Sequence, residues 1–501
     1  MNLFRVTRVN VGGYVAVALV IFIGFLFSWH TLTSIYQDIG RHLTLGELIW
    51  RTHEVPRTNL FSYTNPNHPF VNHHWLGEVM LYLADRAVGL SGLIALKAGL
   101  IALAFVLSLA ACLRRHLLLP AALTGLVAAF IILERTDVRP EVLGFVFLGW
   151  FLFVLYRHPG GRLVWTLPFV QLFWVNSHIS FFMGPFVFVA WALGGVIRDG
   201  PAAFRSVRLW LLGGVIAVAT LLNPWGLSGA LQPFTILSDY GYSIVENKSY
   251  FFLRAYHYQA LTSIALYLGF VLTAASFVLN RSRLRHNVMG LLLAAGTAVF
   301  ALVMIRNYPL FALVMVPVIL RNLDEAGLRW SRRGGWLVSA LLALIVASTV
   351  QGQVFRRVSG GMEFGLHVPE GHQHAVDFFR ENGIRGPIYN NFDIGSYLIW
   401  KLPEEPVFID GRPEAYPSEF LQETYIRSQE RDDVWERMVT EYGLNAIVWN
   451  TRDITPWSRA FVARIQTDED WVPVYFDGQI AILVRDLPRN AELIARLRQD
   501  Q

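Results

Sequence analysis

The chain has 501 residues, of which 54% are hydrophobic and only 16% charged, with a net charge of +5. That composition is the mark of a polytopic membrane protein rather than a soluble enzyme. The positive balance is no nucleic-acid signature, because the arginines stand in short loops between apolar runs.

In chain order, eleven apolar segments are predicted to cross a membrane: roughly 13–30, 91–112, 117–134, 141–156, 164–177, 181–197, 209–222, 259–279, 288–305, 309–320 and 335–352. A perpendicular helix needs about 20 apolar residues. The shorter segments are therefore predicted to run past these limits, or to be broken helices inside the bundle. Every second loop is basic: Arg5 and Arg8, then Arg114 and Arg115, Arg157 and Arg162, then Arg198, Arg205 and Arg208, Arg281, Arg283 and Arg285, and finally Arg321, Arg329, Arg332 and Arg333. This alternation places the N-terminus in the cytoplasm and, with an odd number of spans, residues 353–501 outside. The only cysteine, Cys112, cannot close an internal disulfide.

The division predicted is a membrane domain over 1–352, with its first outer loop at 31–90, and an extracytoplasmic domain over 353–501. The first 352 residues carry 26 basic against 13 acidic side chains, and the remainder 16 against 24. The stretch 75–90 carries Glu78, Asp85 and Arg86 and is predicted to lie at the interface as a helix. In the outer domain, strands are predicted at 387–389, 406–409, 446–449, 472–476 and 479–484. The last two are joined by Asp477-Gly478, a strong hairpin signal. Helices are predicted at 374–382, 394–402, 417–428, 433–442, 457–467 and 490–499. Alternation of this kind is a small α/β domain.

The outer side gathers the unusual polar residues. The first loop holds Asp38, Arg41, His42, Glu47, His53, His73, His74 and Glu78. Asp38 and His42 are four apart, as are His74 and Glu78, so each pair shares a face if helical. A carboxylate can act as general base or hold a divalent ion, and an imidazole can do either or bind a phosphate. The bland alternative is a solvated helix face. Arg135, Asp137, Arg139 and Glu141 follow, then Asn176 and His178, Asn223, Glu246 and Lys248, and Arg306. Arginines at span ends suit a lipid-linked phosphate, gripped by two parallel bonds; the alternative is an internal pair of Arg135 or Arg139 with Asp137 or Glu141. In the outer domain, Asp410 and Arg412 follow one strand and Asn390, Asn391 and Asp393 another. Strand ends are where α/β domains bind ligands, although Asn390 and Asp393 also read as helix caps. The chain has no Walker loop, dinucleotide fingerprint, zinc spacing or Gly-x-Ser-x-Gly elbow.

Several of these residues stand in familiar company. Asp38-x3-His42-Leu43-x2-Gly46-Glu47, Val55-Pro56-x-Thr58, Phe61-Ser62-Tyr63-Thr64 and Val71-Asn72-His73-x-Trp75-Leu76 resemble the first outer loop of bacterial multispanning GT-C-type glycosyltransferases. Arg139-Pro140-Glu141, Asn223-Pro224-Trp225-Gly226, Arg306-Asn307-x-Pro309-Leu310-Phe311 and Phe408-Ile409-Asp410-Gly411-Arg412 are similar to motifs of the same largely uncharacterised group. The resemblance implies a polytopic α-helical bundle of about eleven spans with a small extracytoplasmic α/β domain. It implies an inverting transfer of a hexose or pentose from a polyprenyl-phosphate carrier to a glycan, lipid or protein acceptor, within a bacterial inner membrane. Asp38 matches the family's base or metal ligand. His42 would join it in catalysis, and Arg139, Arg306, His73, His74, Glu78, Asn223, Asp410 and Arg412 would contact substrate. The sequence departs from the pattern at Ile39, Gly40 and Arg41, where aromatics are common, and at Asn59 and His74, where acids are common. The missing acids lower the capacity for a divalent metal and leave Asp38 as its candidate ligand. The competing reading is a non-catalytic protein that binds or moves lipid-linked glycans, or an envelope-assembly scaffold. Its transporter form is disfavoured because the spans are nearly free of charge, with Lys97 the main exception.

Overall fold

The structure is a computed structural model that describes residues 10–36, 38–235, 241–242, 244–255, 260–328, 330, 334–358 and 362–499. Arg5, Arg8, Arg329, Arg332 and Arg333, which enter the arginine alternation, lie outside the described residues. The helices run in chain order as α1 (Val11–Phe27), α2 (Ile39–Thr52), α3 (Trp75–Cys112), α4 (Leu118–Ile132), α5 (Glu141–Arg157), α6 (Leu167–Ser177) and α7 (Met183–Asp199). They continue as α8 (Val207–Leu221), α9 (Gly226–Thr235), α10 (Tyr250–Ala255), α11 (Ala260–Leu279), α12 (Val288–Val303), α13 (Tyr308–Glu325), α14 (Gly334–Val350) and α15 (Gln353–Val358). Beyond these come α16 (Gln373–Glu381), α17 (Phe392–Lys401), α18 (Arg427–Glu430), α19 (Asp432–Tyr442), α20 (Pro456–Ile465) and α21 (Ala491–Gln499). Four strands, β1 (Ile388–Asn390), β2 (Ala446–Asn450), β3 (Trp471–Phe476) and β4 (Ile480–Arg485), complete the chain.

The chain forms two compact units. Unit 1 comprises Met1–Leu32, Val88–Ala230 and Ile244–His367; unit 2 comprises Thr33–Ala87, Leu231–Ser243 and Val368–Gln501. The first-loop residues 33–87 thus fall in unit 2 with the C-terminal residues.

Each of the eleven apolar segments contains a helix of unit 1. By length and composition, however, only four helical stretches among the described residues suffice to cross a membrane: Trp75–Cys112, Ile179–Asp199, Leu261–Leu279 and Arg281–Val303. A fifth is added if α8 and α9, bent by 89°, count as one broken span. The count of eleven is not carried by helix length. Helices such as α1, with 17 residues, reach only about 25 Å, short of the roughly 30 Å hydrocarbon core. The core of unit 1 is α13, buried along most of its length from Tyr308 to Leu323 and packed against α4, α11 and α12. A polar knot ties these helices at one end. Asn322 Oδ1 accepts from Asn280 Nδ2 at 3.0 Å and from Asn287 Nδ2 at 2.8 Å, while its Nδ2 donates to Ser276 Oγ at 2.9 Å. Such bonds suit a bundle whose outer surface is apolar.

Unit 2 is built on a sheet of order β1-β2-β4-β3, with β1 parallel to β2 and the other pairs antiparallel. Tyr389, Trp435, Trp449 and Phe461 stack at its centre. The predicted strand at 406–409 is not one. Its backbone meets the first loop instead, Val407 N donating to Phe61 O and Tyr63 N to Val407 O. The Asn390 side chain takes the next positions, accepting from Phe408 N at 2.9 Å and donating to Ile409 O at 2.8 Å. An amide that mimics a neighbouring peptide has replaced a sheet partner. The predicted helix at 417–428 contains a π-helical stretch, Phe420–Ile426, before α18.

Two glycines set how α2 and α3 lie within this architecture. Gly89, at φ 69°, breaks α3 where the chain passes from unit 2 to unit 1. Gly46 lets α2 lie directly on the start of α3: a Cβ there would stand 2.2 Å from the Glu78 carbonyl oxygen. Gly46→Ala should therefore cost about 1–3 kcal/mol, as overpacking does. Gly99→Ala, with nothing within 4 Å of its added carbon, should leave the thermal midpoint unchanged or slightly raised. Equal midpoints for the two variants would contradict the close approach.

Candidate functional site

In unit 2 the polar residues around α2 form one connected network. Asp38 precedes the helix, and its side chain is 20% exposed. Arg41 lies 3.8 Å from Asp38 Oδ1 and 3.7 Å from Glu78 Oε1. His42 Nδ1 meets Glu78 Oε1 at 2.9 Å, and Asn72 Nδ2 donates to Glu78 Oε2 at 2.7 Å. Glu78 is fully buried in the first turn of α3. The spacing anticipated Asp38 with His42 and His74 with Glu78. The structure instead gives Glu78 to His42, across from another helix, because α2 rests on that turn at Gly46. His74, partly exposed, stacks on His73 with centroids 4.0 Å apart and on the edge of His42 at 5.7 Å. Burial and the adjacent Arg41 push the His42 imidazole below its ordinary value, and Glu78 only partly opposes them. A neutral ring donating from Nδ1 to a carboxylate keeps its lone pair on Nε2.

Asp393, in the first turn of α17, adds a second carboxyl to this region. Burial first, then Asp453 and Asp38 nearby, raise it to about 7. It was expected to be a helix cap. Asn391 holds the N-cap position without capping; its side chain instead bonds Asn450 N at 3.0 Å and Asn450 O at 3.1 Å. Asp453 accepts from Asn391 Nδ2 at 3.2 Å and from Thr455 N at 3.0 Å.

Asp410 and Arg412 are 0% and 2% exposed and face each other. Arg412 Nε and Nη2 reach Asp410 Oδ1 and Oδ2, each at 2.7 Å, and Nη2 also donates to Asn59 Oδ1 at 3.0 Å. Tyr416 donates to Asp410 Oδ2 at 2.9 Å, and the guanidinium lies over Phe61 and Phe70. Burial opposes ionisation of Asp410, but Arg412 more than reverses it. A closed, bidentate, buried pair such as this clamps the first loop to the segment that follows residues 406–409 and turns both side chains toward each other. Asn59, standing where the resembling family has an acid, is what the clamp needs, since its amide oxygen accepts from Arg412.

Unit 1 holds a second constellation. Arg135 ends the turn Leu133–Arg135 after α4, and Arg139 stands two residues before α5. Arg306 lies in the turn Ile305–Asn307 before α13, and Glu246 in the turn Val245–Asn247. Arg135 Nη1 lies 2.6 Å from Glu246 Oε1, Arg139 Nη1 donates to the same oxygen, and Arg306 Nη2 lies 3.4 Å from Oε2. Arg135 Nη2 also reaches Glu141 Oε2 at 2.8 Å. Burial opposes ionisation of Glu246, yet Arg135, Arg139 and Arg306 together hold it well below the usual carboxylate range. Asn223 takes no part. Its side chain donates to Thr220 O and Gly226 O and accepts from Trp225 N, shaping the bend between α8 and α9.

The sequence reading set Arg135, Arg139 and Arg306 together at span ends and offered Arg135 with Glu141 as an internal pair, which the structure shows; Glu246 was placed only beside Lys248 in the long outer loop, with no link to the arginines. The usable signal was that Glu246 is the sole acid between Asp239 and Asp324. Among the described residues, no three of His, Cys, Asp and Glu come together as a metal-ligand set.

No family model matches the sequence, and no curated protein matches it. The structure is similar to that of the oligosaccharyltransferase AglB from Archaeoglobus fulgidus in complex with an inhibitory peptide and a dolichol-phosphate, with a TM-score of 0.57 at 12% identity over 95% of this chain and 75% of that one. The same oligosaccharyltransferase tethered to an acceptor peptide containing an NVT sequon gives the same score and identity over 95% and 73%. ArnT from Cupriavidus metallidurans in the apo state gives 0.53 at 15% identity over 97% and 98%. The likeness shows a GT-C-type membrane fold.

Asp410→Asn should cost about 3–5 kcal/mol by stranding the buried Arg412 charge, read as a lowered melting midpoint with no selective effect on ligand binding. A variant as stable as wild type would return the pair to the list of ligand contacts. Asp393→Asn should gain stability relative to wild type as pH rises through about 7. The raised carboxyl contributes its stability in full below the ordinary value of 3.8 and loses it as pH passes the folded value. A stability difference flat between about pH 5 and 8.5 would exclude a neutral Asp393.

Proposed function

We propose that this chain is an integral glycosyltransferase of the bacterial inner membrane, moving a sugar from a polyprenyl-phosphate carrier to an acceptor on the outer face. The observation that carries the reading is the triple-arginine cluster of unit 1, in a fold shared with an oligosaccharyltransferase seen with dolichol-phosphate. Planar guanidinium groups grip a phosphate through paired bonds and stabilise charge as it develops on a leaving group. The apolar helices of unit 1 would seat the carrier's tail. The alternation of basic loops supports a cytoplasmic N-terminus with residues 353–501 outside.

In unit 2 we assign Asp38 as the general base. It is reachable by solvent and sits at the start of a helix whose next turn is locked by the His42–Glu78 pair. Asp38 would take the proton from the acceptor hydroxyl as that oxygen attacks the anomeric carbon. The bond from that carbon to the carrier oxygen breaks, and the phosphate departs with the electron pair, inverting the sugar. His42, neutral and fixed, positions the α2 face that carries Asp38. His73 and the partly exposed His74 are assigned to the acceptor.

Asp38→Asn is nearly isosteric but cannot accept a proton at neutral pH. Sugar transfer should fall by about 10²-fold or more, the scale of general-base catalysis, with carrier binding little changed. Glu47→Gln is the control, because Glu47 makes only an exposed pair with Arg51 at 3.6 Å. Arg139→Lys and Arg306→Lys should weaken carrier binding, since they lose the planar fork while keeping the charge. Transfer kept by the Asp38 variant and lost by the Glu47 variant would reverse the assignment of the base. Carrier binding with no transfer to any glycan, lipid or protein acceptor would favour a binding protein.

A further inference from the structure

We infer that the acceptor is a polyol held by two neighbouring hydroxyls, the reacting one at Asp38 and Ser396 and the next one on Arg41. The inference rests on the reading of Asp38 as the general base.

The Arg41 side chain is only 8% exposed. A guanidinium carries five N–H donors in a fixed fork, and donors so deeply placed are met as a rule. Here they are not. Nη2 stands 3.8 Å from Asp38 Oδ1 and Nη1 3.7 Å from Glu78 Oε1, both beyond hydrogen-bond length. The buried Nε has no partner among the described residues.

The surroundings decide which acceptor suits that fork. Two carboxylates flank Arg41, and it lies within electrostatic reach of Asp410 and Glu414 as well. A phosphate or carboxylate placed on Arg41 would stand against Asp38 and Glu78 at short range, and like charges so juxtaposed repel strongly. The fork lacks hydrogen-bond acceptors rather than negative charge. Hydroxyl oxygens supply them without that repulsion.

A second unmet group lies near the same carboxylate. Ser396, within α17, is 1% exposed, and its Oγ has no partner among the described residues. A buried hydroxyl inside a helix often turns back on the carbonyl four residues earlier. Thr44 does so on Gly40 O at 3.0 Å, and Thr124 on Pro120 O at 2.8 Å. Ser396 does not. Its Oγ lies 3.3 Å from the point that a Cβ on Gly411 would occupy, and Asp38 Oδ1 lies 3.5 Å from that point. Both oxygens therefore border a face of Gly411 that carries no side chain. The backbones around them are in direct contact. A Cβ on Gly40 would meet Ser396 O at 2.8 Å, and one on Gly395 would run into the Ile409 carbonyl oxygen. Asp38, Ser396 and the Arg41 fork are thus carried on segments that cannot drift apart.

Two unmet groups beside one base call for two ligand oxygens. The reacting hydroxyl gives its proton to Asp38 while its oxygen accepts from Ser396 Oγ. The hydroxyl on the adjacent carbon accepts from Arg41. A lone alcohol, such as a serine side chain of a protein acceptor, would leave Arg41 unmet.

The test uses the purified full-length protein in lauryldimethylamine oxide, a detergent without sugar. The probes are methyl mannoside as a ring diol, glycerol as an acyclic one, and trimethylene glycol, whose hydroxyls are not neighbours. At matched concentration, the mannoside or glycerol should raise the melting midpoint of wild type more than that of Arg41→Met or Ser396→Ala. Trimethylene glycol should act alike on all three. The dissociation constant read from the concentration dependence should be about tenfold higher or more in Arg41→Met, the scale of a hydrogen bond to a charged group. An effect of the mannoside alone identifies a sugar ring as acceptor, and an effect of glycerol alone a glycerol headgroup. Without any probe, Ser396→Ala should melt no lower than wild type, because the hydroxyl it removes has no partner. A lower midpoint there would make Ser396 part of the scaffold and overturn the inference. So would equal responses of wild type and Arg41→Met to both diols, or a wild-type excess that trimethylene glycol reproduces. If Arg41→Met does not fold, Ser396→Ala carries the same comparison. Asp38→Asn separates this failure from failure of the underlying reading. If it abolishes sugar transfer while neither diol binds, the base stands and the polyol does not. If it keeps transfer while diol binding depends on Arg41, the diol site stands and its role as the acceptor site falls.

Discussion

Taking a carboxylate out of water costs several kcal/mol unless charged or hydrogen-bonding donors meet it. The organisation of this chain follows from how it meets three of them. Glu78 is met by His42, Asn72 and Arg41; Asp410 by Arg412 and Tyr416; Glu246 by Arg135, Arg139 and Arg306. The first ties α2 to α3, and the second ties the first loop to the segment after residues 406–409. The third draws together residues that lie far apart in sequence at the ends of long helices.

The three differ in which donors meet the carboxylate. At Asp410 the match is complete: two forked bonds, a phenol, and aromatic rings covering the guanidinium. At Glu78 the match is also tight, but its partner His42 keeps a lone pair and stands one turn from Asp38. At Glu246 one carboxylate is met by three arginines that come from separate parts of the chain.

Fold and function also part company here. At 12–15% identity the likeness to AglB and ArnT carries architecture, and architecture alone does not specify a reaction. Sugar transfer is proposed here on particular residues: a partly exposed Asp38 beside a locked helix turn, and three arginines gathered on one carboxylate. Asp393 belongs to the same reasoning. Burial first, then Asp453 and Asp38 nearby, raise its carboxyl to about 7.

The sequence alone determined the helices and most of the sheet. Apolar runs place α1 and α3 to α8 and α11 to α14 within a few residues, because burial in lipid or in a bundle writes itself as local composition. The Asp477-Gly478 hairpin and the runs that became β1 and β2 were equally local signals. Arg139 and Arg306 stood out because charge at the end of an apolar run is visible without a fold. Tertiary structure decided what local pattern cannot encode. Residues 406–409 read as a strand, but Asn390 and the first loop took its backbone partners. His74 and Glu78 had the right spacing for a pair, but Gly46 brought a second helix close enough for His42 to win. Asp410 and Arg412 read as a strand-end site until the first loop closed over them. Glu246 is the plainest case. Its partners lie 60 to 111 positions away in the chain, and only folding, by placing the ends of α4, α5 and α13 together, made three arginines share one carboxylate.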